Sequence, residues 1–88
     1  MQYELTATPT ALPSITADQV YVLQNNSRHV VYVETTDMQP TEPGAANRLH
    51  PAGSPLSVDR FKAAAGDSIY VWTSATHPDG SIVYREEP

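Results

Sequence analysis

Four short stretches of this chain are apolar at consecutive positions: Val20-Tyr21-Val22-Leu23, Val30-Val31-Tyr32-Val33, Ile69-Tyr70-Val71-Trp72 and Ile82-Val83-Tyr84. They are dense in Val, Ile and Tyr, residues that fit a pleated sheet. Side chains alternate faces along a strand, so a strand with one wet face alternates apolar and polar residues. These stretches do not alternate, and each strand asks for cover on both faces. No segment carries a sustained helical period. The chain therefore reads as all-β: a small antiparallel β-sandwich or barrel of about five to seven strands. Its 88 residues leave room for one domain. A domain this short buries only about 60–65% of the surface its unfolded chain exposes, so its core is thin and a partner surface would matter.

Residues 1–17 hold Pro9 and Pro13 among Thr, Ala and Ser. Proline removes amide donors and favours extended backbone, so this segment reads as an extended N-terminal arm with a short strand at 2–6. Residues 18–88 read as a single β domain. Its strands are expected at 20–24, 29–34, 48–50, 56–61, 69–74 and 82–85. Asn25-Asn26-Ser27-Arg28 and His77-Pro78-Asp79-Gly80 read as hairpin turns. Residues 35–55 contain Pro40, Pro43, Gly44, Pro51, Gly53 and Pro55 and read as a long irregular loop. Ala63–Ala65 offers one helical turn, which Gly66 stops.

Those turns assign faces. If Asn26-Ser27 closes a hairpin, Val22 opposes Val31, Val20 opposes Val33, and Tyr21 pairs with Tyr32 on the other face. If Asp79-Gly80 closes the second, Ile69, Val71, Ile82 and Tyr84 share one face, and Tyr70, Trp72 and Val83 the opposite one. A turn of odd length swaps the assignment. The aliphatic face is the natural core. The aromatic face of Tyr21, Tyr32, Tyr70 and Trp72 has polar atoms to offer and suits a boundary. Two covers remain open for it: the chain's own arm or its 49–61 region, or a partner. The partner-interface candidates are Tyr21, Tyr32, Tyr70 and Trp72, joined by Tyr3, Leu5 and Leu12 of the arm.

The chemistry on offer is sparse. Five Lys+Arg stand against ten Asp+Glu, a formal charge of −5. The basic residues are scattered, which argues against nucleic-acid binding. Cysteine is absent, which removes disulfides, thiolate metal sites and thiol nucleophiles. Lys62 is the only lysine. His29, His50 and His77 lack metal-ligand spacing and read as surface residues. No G-x-S-x-G elbow is present, and Asp67 and Asp79 read as turn formers. Glu34, Asp37, Glu42 and Asp59 define neither a glycosidase pair nor a calcium loop. The expectation is no enzyme, no cofactor and no metal. Met1-Gln2-Tyr3-Glu4 lacks the basic and apolar regions of a secretory signal. The longest apolar runs are four residues, against about 20 for a membrane span. Synthesis in the cytoplasm, or processing from a longer chain, is expected, with no membrane partner.

The sequence resembles small structural proteins of tailed-bacteriophage virions, of the decoration, cement or minor capsid type. The resemblance rests on Val22-Leu23-Gln24-Asn25-Asn26, Val30-Val31-Tyr32-Val33-Glu34, Leu49-His50-Pro51-Ala52-Gly53, and Gly66-Asp67-Ser68-Ile69-Tyr70-Val71-Trp72 followed by Asp79-Gly80-Ser81-Ile82-Val83. It covers residues 19–85. It implies a non-enzymatic protein on the capsid exterior, homo-oligomeric with a trimer favoured, that binds the major capsid protein and bridges its subunits. It also implies an arm that reaches onto neighbours. The alternative role is a tail or receptor-binding accessory that contacts a tail partner or a cell-surface sugar.

Overall fold

A computed structural model describes residues 2–40 and 47–87. Its strands are β1 (Gln2–Leu5), β2 (Thr10–Ala11), β3 (Val20–Asn25), β4 (Val31–Thr36), β5 (Asn47–Leu49), β6 (Val58–Lys62), β7 (Ser68–Thr73) and β8 (Gly80–Glu86). They form two four-stranded sheets: sheet A in the order β1-β8-β3-β6 and sheet B in the order β2-β7-β4-β5. Every pairing is antiparallel.

The topology follows from one fold-back. β4 pairs with β5, β3 with β6, β2 with β7 and β1 with β8, as if the whole chain were doubled over at the β4–β5 connection. This doubled ribbon then rolls up, so that β3 meets β8 and β4 meets β7. The result is a jelly roll, a β-sandwich of eight strands. The sandwich expectation holds. Among the described residues eight strands stand where five to seven were expected. The additional strand is β2, whose two residues are too short to carry any alternation. The expected helical turn at 63–65 is a tight turn instead: Asp67 N donates to Ala64 O at 2.9 Å, and Gly66 takes φ +90°.

The two expected hairpins are not formed. β3 and β4 lie in different sheets, and so do β7 and β8. Asn25 shows why. Its backbone N–H donates to Ser57 O at 2.8 Å, in the β5–β6 connection. Its side-chain amide donates to the carbonyls of His29, Leu49 and His50 at 2.8, 3.0 and 3.0 Å. These bonds draw the chain across to the other sheet before a two-residue turn can close. Residues 26–30 and 74–79 are arches between layers.

The corrected connectivity reassigns the faces. Tyr21 points inward opposite Phe61, with Leu23 beyond it opposite Tyr84 on β8. Val20 and Val22 point outward. Leu23, Val31, Val33, Leu49, Ile69, Val71 and Ile82 are at most 1% exposed and fill the space between the sheets.

The N-terminal segment closes one side of this core. β1 and β2 each form the edge strand of a different sheet, so residues 2–11 pass from one layer to the other. Leu5 and Leu12 are buried, and Tyr3 and Ile15 pack against the same core. Thr73 N donates to Thr6 O, and Leu12 N to Ile69 O, both at 2.9 Å.

Candidate functional site

The seven residues expected at a partner interface separate into two groups. Tyr21, Leu5 and Leu12 lie in the chain's own core, and Tyr3 packs at its margin. Tyr32, Tyr70 and Trp72 share the outer face of sheet B, where strand alternation points them away from Val31, Val33, Ile69 and Val71. Register brings Tyr32 opposite Trp72 on one side and Arg48 on the other. The Tyr32 and Trp72 rings stack at 5.7 Å with 26° between planes. The Arg48 guanidinium carbon lies 5.9 Å from the Tyr32 ring centre, within cation–π range. One row along, Glu34 opposes Tyr70, and Tyr70 opposes Ala11.

Trp72 is only 3% exposed, although it stands outside the inter-sheet core. Gln39 Nε2 donates to Pro9 O at 2.7 Å. Pro9 precedes Thr10, which opposes Val71. The Gln39 side chain thus links the segment after β4 to the segment before β2, on the far side of β7 in the sheet order. The aromatic surface left to solvent is Tyr32 and Tyr70, both half-buried, with Arg48 exposed beside them. Met38, at the start of the same connection, is 72% exposed.

The outer face of sheet A is of different chemistry. Val20, Val22 and Val83 are half-buried, and Val58 is exposed. Arg60 and Arg85 flank Val22 from the two neighbouring strands, and Lys62 opposes Val20. A shallow depression is lined by Val22, Val58, Asp59, Arg60, Arg85 and Glu87. Arg60 Nε donates to Glu87 Oε1 at 2.7 Å. The chain after β8 is tied back as well, since Glu87 N donates to Val20 O at 2.8 Å.

At one end of the sandwich the imidazoles of His29 and His77 stack at 3.7 Å, joining the two arches. Glu4, Arg28 and Asp79 line an open depression beside His29. Among the described residues, no group of three or more His, Asp or Glu side chains is placed to hold a metal ion. Glu42, considered as a carboxylate ligand, lies outside the described residues. Near the core margin Tyr84 donates its hydroxyl proton to Pro13 O at 3.0 Å. Burial pushes its pKa above the usual tyrosine value, and the nearby Tyr3 and Tyr21 push in the same direction.

Sequence reasoning missed Arg48 and the whole valine–arginine face. Arg48 becomes visible only through the β4–β5 register. The second face did leave a signal: Val58-x-Arg60-x-Lys62 and Val83-x-Arg85 repeat at the period of two that one side of a strand requires. No family model, curated protein or solved structure matches this chain.

Proposed function

We propose that this chain is a non-enzymatic structural protein of a bacteriophage virion, which docks on the capsid exterior and reinforces the shell. The observation that carries the reading is the outer face of sheet B. Tyr32 and Tyr70 stand there half-buried, with Arg48 exposed on β5 opposite Tyr32. Tyr, Met and Arg are enriched at protein interfaces, and Tyr and Arg recur among the residues that dominate binding energy. The Tyr32 ring is held by its stack on Trp72, so little of its side-chain entropy is lost on docking. The jelly roll agrees with this reading, since the architecture recurs in viral capsid and lectin domains, although a fold alone assigns no function. The partner in this reading is the major capsid protein, with the docked chain a homo-oligomer, a trimer for preference.

The test is occupancy on purified particles. A shell protein is present at a copy number comparable to the major capsid protein, and Tyr32→Ala with Tyr70→Ala lowers that occupancy while the protein stays folded. A handful of copies per particle favours the second reading, a tail or receptor-binding accessory. The two half-exposed tyrosines beside Glu34 support that alternative, because flat aromatic faces stack against sugars. Glycan binding that is lost in the same double variant decides for it. Absence from particles removes both readings.

A further inference from the structure

The outer face of sheet A carries a group of side chains that neither the aromatic face nor the virion reading uses. Three of the five basic residues of the chain, Arg60, Lys62 and Arg85, stand on it. Asp59 and Glu87 line the same depression as Arg60 and Arg85, so the three cations leave a local excess of one positive charge, 3 − 2 = 1, in a chain whose formal total is −5. Among the described residues only Arg60 of the three forms an ion pair, with Glu87. Between the cations runs apolar surface: Val22 sits between Arg60 and Arg85, and Val58 is 45% exposed. Leu56, just ahead of β6, is 61% exposed.

We propose that this face docks an acidic protein surface with an apolar centre. Charge selects the class of partner. At short range, within a Debye length, Lys62 and Arg85 attract a carboxylate that the net charge of −5 repels from the rest of the chain. The valines then supply the water-excluding centre that charge alone does not. A second copy applied through the same face would bring like charges together. Nucleic acid is a poorer fit, because this face has too few cations to track a phosphate backbone and no aromatic ring to stack on a base.

The test uses the isotope-labelled full chain and two probes, polyglutamate and a glutamate–tyrosine copolymer, followed by amide chemical shifts. Shifts are expected to centre on Val22, Arg60, Lys62 and Arg85 and to collapse at about 0.3 M salt, where screening shortens to several ångströms. The copolymer is expected to bind more tightly than polyglutamate, by virtue of the valine centre. Lys62→Glu with Arg85→Glu is expected to weaken binding about tenfold or more while leaving the urea midpoint within error, since both side chains are surface groups. Shifts centred on Arg28 or Arg48 would overturn the proposal, as would undiminished binding by the double variant. Tighter binding of heparin than of either polypeptide would replace the protein partner with a polyanion. Concentration-dependent self-association reported by Val22 and Arg85 would replace it with a second copy. Loss of this binding leaves the aromatic face intact, so particle occupancy of the same variant separates failure here from failure of the virion reading.

Discussion

Asn25 is fully buried in a core of aliphatic side chains, and it earns that place through its hydrogen bonds. Its amide nitrogen reaches three carbonyls, and its Oδ1 accepts from Ser27 N at 2.8 Å. Asn25→Leu leaves those groups without their partner. At about 1–3 kcal/mol for a buried group left unsatisfied, the variant is expected to lose about 3 kcal/mol, read as a lower urea midpoint. Gly80 answers to a different constraint. A Cβ there would meet Ser27 Oγ at 2.9 Å and Thr73 Cγ2 at 3.0 Å. Ser27 Oγ cannot easily give way, because it accepts from Ser81 N at 2.7 Å and donates to Ser81 O at 3.0 Å. Gly80→Ala is expected to cost about 1–3 kcal/mol through overpacking, measured in the same way. Tyr84 bears on stability at alkaline pH. Its folded pKa is raised above the ordinary tyrosine value of about 10, chiefly by burial. Between the unfolded and folded values the native state holds the proton that the unfolded state has released, so stability falls with rising pH. The contribution is complete below pH ~10 and is lost as the pH climbs through the folded value. Tyr84→Phe should flatten this alkaline slope in urea titrations, at the cost of the hydrogen bond to Pro13.

Among the elements, β1 and β2 have the sharpest consequence. They pair with β8 and β7, and the segment buries Leu5 and Leu12 in the common core. Deleting residues 1–14 removes both edge strands and both leucines. At about 2–5 kcal/mol for each large side chain lost from a core, the truncated chain is expected to lose its cooperative thermal transition. Retention of that transition would show that the segment is dispensable for folding. Most strands were legible because β-branched and aromatic runs are themselves the local signal, and six of the expected spans overlap β3 to β8. Their partners were not legible. Asn-Asn-Ser and Asp-Gly are turn formers whether the chain returns in the same sheet or crosses to the other. The crossing is decided by distant groups, among them Ser57 O and Leu49 O, which no local window contains. The same gap misplaced Tyr21. Its apolar neighbours announced a two-faced strand correctly, but the choice of inner face required knowing that β6 and β8 flank it.

At the scale of the molecule, the two sheets present unlike outer surfaces, aromatic on one side and valine–arginine on the other. The sequence announced apolar residues at every strand position, and the structure shows how they are shared: one set fills the core, and the remainder is divided between two exteriors. β1 begins, and β8 ends, at the same end of their shared ladder, since Gln2 opposes Val83 and the strand runs on to Glu86. The molecule is therefore anisotropic under load. Tension applied between Gln2 and Glu87 peels β1 from β8 one hydrogen bond at a time, starting at Gln2 and Val83. Force spectroscopy with handles at those two positions is expected to give low, stepwise rupture. Compression normal to the sheets meets the close-packed core instead, where nothing can unzip. A protein with this asymmetry serves as a spacer pressed between surfaces far better than as a tether stretched by its ends.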